Sequence, residues 1–459
     1  MRHCFFSAYG KKHLMVTDVE LPPEERIVQV MRHLGLERAH FAAREFLEFD
    51  ALVRAHREII ASLTLVLPPR TLNPETLRPL ATRLLSFYGG KGPNAKFVRQ
   101  SLAMLPLAVA HCLEDYPDVL WADVIADHTD FIGDAMLEFL ARMDIQAALR
   151  TASLASGEGE VAGIRYRILG SGPPLVLLPL VLSPSQWEPL LTRLSERYCT
   201  IVLGGPELGG VRQLEGRGRS LGHRRVLERF LAEAELKLGE HVLEVGCGSG
   251  VFTRLIAQTT WGGTPIVAVD INRYFLKEAV ALAQKTGYQD AIEFREASAE
   301  ALPFEDNVFE TCLSTTVMEE VNADRMLAEM IRLTKPGGRI GVIVRAEDMN
   351  SWTNVPLEAT LKAKAELPRG NVAEKGCADG SLYRRFRDAG LVSLKMFPQL
   401  APFKLSEPHG KRMETGILAA LNTAEAAQWR AATESPDARE FLFIARPFHC
   451  AVGTKPAAK

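Results

Sequence analysis

Residues 236–257 read LKLGEHVLEVGCGSGVFTRLIA, and this stretch constrains the fold of the chain more than any other. An apolar β-type run, His241 to Val245, leads into Gly246-Cys247-Gly248-Ser249-Gly250, followed by a helix-period stretch through Phe252, Leu255 and Ile256. The glycines therefore fall on a strand-to-helix turn. Glycine permits positive φ there and leaves no Cβ between the backbone and a ligand. In an open parallel sheet such a turn lies at the carboxyl ends of the strands, where ligands bind. The next segments keep the rhythm. Residues 266–272 (IVAVDIN) predict a second strand ending in Asp270, and 292–304 a third strand and its loop. Residues 309–321 predict a fourth strand and the start of its helix, and 325–344 a helix running through KPGGRI into a fifth strand. Alternation of this kind means an α/β parallel sheet.

The ligand is read from charge. The spacing is GxGxG, without the last glycine of the dinucleotide pattern, and Glu244 precedes it. A carboxylate there repels a pyrophosphate but accepts from an ammonium, directly or through water, which favours a cationic methyl donor over a nicotinamide dinucleotide. Asp270, about twenty residues past the loop, is placed to accept from both ribose hydroxyls.

LEVGCGSG, AVDIN, SAEALPF, and TVMEEV with RLTKPGGRI resemble the motifs of class I S-adenosylmethionine-dependent methyltransferases, near the small-molecule and ubiquinone-type subgroup. The resemblance is specific over 220–345 and looser to the end, where FLFIARPFHCAVGTKP is similar to the family's closing strand pair. It implies a Rossmann-like domain over 236–459, S-adenosylmethionine as cofactor, and a cofactor site of Glu244, Gly246, Cys247, Gly248, Gly250, Asp270, Ile271, Ser298, Ala299, Glu300 and Thr315. Two departures stand out. Ser298 replaces a common Asp beside the adenine, and Glu319-Glu320 replaces a common Glu-His on the helix after strand four.

Methyl transfer from a sulfonium is an in-line displacement, so the protein mainly positions the acceptor and excludes water. Acceptor residues are expected on loops after strands four and five. Thr315, Glu319 and Glu320 are candidates, as are Arg345, Asp348 and Trp352 in RAEDMNSW, and Cys377, Asp379 and Tyr383 in GCADGSLYRRF. Each has a bland counterpart: Glu320 as a helix-surface charge, Trp352 as core, Tyr383 as a packed helix turn, Cys377 as a buried thiol. An aromatic and acidic pocket suits an amine acceptor, and Arg345 suits a carboxylate; both stay open. No Cys/His group has metal spacing, so no metal is expected.

The first half reads differently. Residues 25–44 resemble the helix and strand that lead to the nucleophile elbow of α/β-hydrolases, but Ala43-Arg44-Glu45-Phe46-Leu47 has neither the serine nor the glycines of GxSxG. Residues 54–69 and 79–92 are similar to later hydrolase segments, with Lys91-Gly92 where the acid would stand. Segment 116–140 is similar to the last helix, with His128 the nearest histidine. Residues 161–203 then resemble the front of the same fold, with Pro179-Leu180 at the oxyanion position. The expectation is a permuted, catalytically dead α/β-hydrolase-like domain: a back half in 1–155, a front segment in 156–210 opened by the Gly-rich break SGEGEVAG (156–163), then 211–235 as a linker or a segment closing over the cofactor. Its role is read as a scaffold for a homodimer or a lid.

At 459 residues two or three domains are expected. A net charge of −2 gives no electrostatic footprint for nucleic acid or membrane. Seven scattered cysteines, with no secretory pattern, suggest free thiols in the cytoplasm. The expected partner is a small-molecule methyl acceptor. The alternative is a non-catalytic assembly protein that binds S-adenosylmethionine or its demethylated product.

Overall fold

A computed structural model describes residues 21–457 apart from 45–46, 70–71, 93–94, 118–122, 148, 150, 153, 181 and 371. The chain divides into two compact units, Met1–Gly209 and Gly210–Lys459.

The first unit holds β1 (Ala39–Ala43), β2 (Ile60–Val66), β3 (Leu84–Lys91), β4 (Val109–Pro117), β5 (Gly157–Val161), β6 (Ile164–Leu169), β7 (Pro174–Leu177) and β8 (Cys199–Gly204). They form one sheet in the order β4-β3-β2-β1-β7-β8-β6-β5. Pairing is parallel from β4 to β8, and β6 runs antiparallel to both β8 and β5. Strands β1 and β2 are buried along their whole length, as central strands covered on both faces must be. Successive side chains feed opposite faces: Phe41, Leu63 and Leu65 join one core, Ala42, Val66 and Phe87 the other. The sheet takes strands from both sides of residue 155. The SGEGEVAG stretch expected as a break is edge strand β5 and its turn into β6, where Ala162 and Gly163 take positive φ.

The second unit holds β9 (Val242–Val245), β10 (Ile266–Asp270), β11 (Ile292–Glu296), β12 (Phe309–Thr315), β13 (Thr334–Arg345), β14 (Trp352–Thr353), β15 (Val392–Met396), β16 (Gln399–Lys404) and β17 (Phe443–Thr454). The order is β11-β10-β9-β12-β13-β17-β14, with β15 and β16 also paired to β17. The first five are parallel, so Val245, Asp270, Thr315 and Arg345 end at one edge. Strand β17 is antiparallel to β13, with Arg345 opposite Phe448.

Two local expectations are corrected. The stretch 211–235 is not an irregular linker: it lies in helices Gly209–Arg219 and Leu221–Ala234, the second burying Val226, Leu227, Phe230 and Ala234. Its apolar residues recur at helical spacing and close over the sheet. The helix after β12 does not begin at Glu319 but at Ala323. Asn322 caps it by accepting from the Arg325 N–H, which leaves Glu319 and Glu320 in the preceding turn. Among the described residues no helix is long and apolar enough to cross a membrane.

Candidate functional site

The glycine turn does what its composition requires. Gly246, Gly248 and Gly250 have φ of +77°, +53° and +76°, a region costly for residues with a Cβ. A Cβ on Gly246 would lie 2.1 Å from Val317, and one on Gly248 would lie 2.9 Å from Leu214. Leu214 belongs to the 209–219 helix, which closes on this loop through charge as well. Glu215 accepts from Ser249 Oγ at 2.7 Å and from the Arg254 guanidinium at 2.7 and 2.8 Å, while Arg254 donates to the Ser249 carbonyl. Glu215 and Arg254 side chains are only 11% and 12% exposed, so this pair is shielded from solvent screening.

Asp270 stands at the end of β10 beside the loop. Its Oδ2 accepts from the Gly248 N–H and its Oδ1 from the Asn272 N–H, each at 2.8 Å. Burial raises its pKa, opposed by those two N–H groups. Ile271, next in the chain, is 71% exposed. Ser298 Oγ accepts from the Glu300 N–H, Ala299 is buried, and Glu300 accepts from the Asn322 N–H, tying the loop after β11 to the turn after β12. Glu244 is buried behind the loop and bonded by Thr253; burial pushes it up to about 7. Cys247 is buried too, and burial raises its thiol well above the ordinary range.

The acceptor candidates separate into groups. Glu319 is fully buried; its Oε1 accepts from Arg345 N at 2.7 Å and Arg345 Nε at 3.2 Å, and its Oε2 is buried without a partner. Burial raises its pKa against the pull of Arg345. Glu320 meets the same guanidinium at 3.4 Å, and Thr315 ends β12 beside them. Asp348 and Tyr383 share a residue absent from the sequence reading, His449: Asp348 Oδ1 lies 2.8 Å from Nε2 and the Tyr383 hydroxyl 3.0 Å from Nδ1. Burial raises Tyr383 to about 12. Asp379 accepts from the Ser381 N–H at the start of helix Ser381–Asp388.

Two candidates do not join these groups. Trp352 is 45% exposed on β14, against Phe443 and under the Lys362 ammonium, so it is neither core nor part of these clusters. Cys377 is 1% exposed and burial raises its thiol, so it is not held as a thiolate. Glu215, Arg254 and His449 were missed because isolated charged or imidazole side chains carry no spacing signal.

Residues 243–342 match the family model described as a methyltransferase domain. The ubiquinone/menaquinone biosynthesis C-methyltransferase UbiE of Pectobacterium atrosepticum is 31% identical over 187 residues, 40% of this chain and 71% of that protein. The chain belongs to the methyltransferase family. The UbiE protein of Hahella chejuensis is 32% identical over 158 residues; the match covers 32% of this chain and spans 63% of that relative's length. Among solved structures, the YcgJ protein of Bacillus subtilis aligns with 16% identity and a TM-score of 0.35 over 51% of this chain and all of its own. The cofactor is S-adenosylmethionine, and the residues fit it: a cradle that a Cβ would fill and a half-buried carboxylate at the second strand's tip.

Proposed function

We propose that the second unit transfers the methyl group of S-adenosylmethionine to a small-molecule acceptor. The observation that carries this reading is the convergence of the side-chain-free turn, Asp270 and the 209–219 helix at one sheet edge. The cofactor, when bound, supplies the electrophilic methyl and its leaving group. Gly246, Gly248 and Gly250 admit it, Asp270 accepts from the ribose, and Ile271 with Ser298, Ala299 and Glu300 borders the adenine. Glu244 and Cys247 back the loop, and Thr315 flanks the reacting end. The 209–219 helix excludes water above the loop. Glu319, Glu320 and Arg345 bound the acceptor space beyond, and Tyr383–His449–Asp348 is the proton path this edge offers an acceptor that must lose a proton.

Turnover tests this against a protein that only senses the cofactor. The full chain, given pooled metabolite acceptors, should release S-adenosylhomocysteine. Tight binding without release from any pool would favour the sensor, and NADH binding in place of S-adenosylmethionine would end the reading.

For the first unit we infer a permuted α/β-hydrolase-like scaffold without chemistry, comprising 1–155 and 156–210. The strand order supports it: read from β5 through β8 and then β1 through β4, the sheet runs 1-2-4-3-5-6-7-8 with only the second strand reversed. Position 45, where the nucleophile would stand, lies outside the described residues. We assign this unit to homodimerisation, tested by the solution mass of the full chain against one lacking residues 1–209. The six described cysteines are all unpaired, which supports a reducing, cytoplasmic setting.

A further inference from the structure

We propose that the methyl acceptor carries an anionic group, a carboxylate or a phosphate, held by Arg217, Arg345, Arg412 and Arg446. This rests on the methyl-transfer reading and narrows its substrate class.

The topology brings these four together. Arg345 is the last residue of β13, opposite Phe448 of β17. Arg446 lies two residues before Phe448, so Arg345, Phe448 and Arg446 share one sheet face. Next to β17 runs β16, with Ala401 opposite Arg446. Helix Pro408–Ala420 follows β16 and carries Arg412 in its second turn. The 209–219 helix reaches the same place, since a Cβ on Gly216 would lie 3.3 Å from Pro408, and Arg217 is its next residue. His223 and His409 line the floor, His223 5.6 Å from the Phe448 ring and His409 4.4 Å from Phe403. The Nδ1 atoms of both histidines are buried without a partner.

Charge is unbalanced there. Arg345 meets Glu319 and Glu320, and Arg446 meets Glu347. The side chains of Arg217 and Arg412 have no ion pair or hydrogen bond among the described residues. Burial first, and then repulsion from neighbouring arginines, opposed at Arg217 by the Glu319 carboxylate, hold both down to about 10, still charged at neutral pH. Burial and the same cations keep His223 and His409 neutral. Arg412 is solvent-exposed and Arg217, Arg345 and Arg446 half-buried, so a ligand can reach the group.

Cations crowded together with too few carboxylates repel one another unless a ligand supplies the counter-charge. The cofactor cannot supply it. Its one carboxylate comes with an ammonium and a sulfonium, so it adds positive charge. The acceptor must bring the anion, and guanidinium forks match carboxylate and phosphate oxygens in pairs. An anionic group here also draws the acceptor toward the cationic donor.

Calorimetric titration of the full chain with inorganic phosphate, diphosphate, benzoate and neutral benzamide, with and without S-adenosylhomocysteine, tests the proposal. At least one anion should bind saturably and benzamide should not; a phosphate-only or benzoate-only result supports the site and names its class. Arg217→Gln and Arg412→Gln should each weaken that binding at least tenfold, Arg412→Lys less. S-adenosylhomocysteine affinity should stay within twofold, and the anion-free melting temperature should hold or rise because an unpaired cation is gone. No anion binding in a chain that binds S-adenosylhomocysteine normally overturns this proposal alone. So does anion binding that the variants leave unchanged, or a tenfold loss of S-adenosylhomocysteine affinity in Arg217→Gln with anion binding intact. Loss of S-adenosylhomocysteine binding with anion binding retained breaks the methyl-transfer reading instead.

Discussion

Both units hang their loops from the carboxyl ends of a run of parallel strands, and they fill that edge in opposite ways. In the first unit the turn after β7 is packed shut. Leu180, Leu182 and Trp187 are buried, the Leu182 N–H is taken by the Gln186 side chain, and Trp187 Nε1 bonds the Leu178 carbonyl. In the second unit the corresponding edge is glycine, carboxylate and guanidinium, with orphaned polar atoms on Glu319, His223 and His409. The first unit even contains a serine–histidine–aspartate chain: Ser62 Oγ lies 2.7 Å from His40 Nδ1, and His40 Nε2 2.9 Å from Asp144. Ser62 and His40 are fully buried near the amino ends of β2 and β1, and Tyr198 closes the chain on Asp144. Nucleophilic catalysis needs access and an oxyanion site as well as the trio. Here Asp144, half-buried, satisfies the polar groups of a histidine and a serine set inside the sheet. Similar side-chain chemistry is therefore packed into a sheet interior at one place and set at an open strand edge at another, and burial together with strand polarity decides which.

This contrast can be broken experimentally. The largest effect is expected from Gly246→Val, which combines a φ of +77° with a Cβ 2.1 Å from Val317. It should cost about 2–6 kcal/mol of stability and abolish cofactor binding, as read by urea unfolding and S-adenosylhomocysteine titration. Glu215→Ala strands Arg254 under the 209–219 helix and should destabilise the second unit by about 3 kcal/mol; an unchanged unfolding midpoint would show that the helix is not held by this pair. Asp270→Ala should weaken cofactor affinity by about 1.5–3 kcal/mol, and a dissociation constant that does not move contradicts its assignment.

A pH dependence comes next. Glu244 is raised to about 7 by burial. Between the unfolded carboxylate value of about 4.3 and that pH the folded unit holds a proton that the unfolded chain has released. Stability should therefore be fully present below about 4.3 and fall by about 3–4 kcal/mol as pH rises through about 7. Glu244→Gln should flatten that slope in pH-dependent melting. The smallest effect belongs to the first unit: His128→Ala and Ser62→Ala should leave the methyl-transfer rate within about twofold, since surface and remote changes rarely reach a site. Loss of turnover in either variant, with folding retained, would erase the distinction between the two edges.

How much of the site was readable depended on how local its physics is. The glycine turn, Asp270 and the strand rhythm follow from neighbouring residues, because positive φ and hydrophobic period are properties of a few consecutive positions. The placement of Glu319 and Glu320 on a helix failed for an equally local reason: Asn322 captures the helix start. The remaining departures are not local. His449 meets Asp348 and Tyr383 across separations of 101 and 66 residues, and Glu215 meets Arg254 across 39.

The chain's own order of residues thus determined a cofactor-type turn, the acidic strand tip that serves it, and the absence of an elbow serine in the first half. Which arginines gather, which buried carboxylate goes half unsatisfied and which edge is plugged were decided only by the tertiary structure. Sheet order and strand direction choose neighbours from distant segments, and an unpaired charge becomes visible only once its surroundings are fixed.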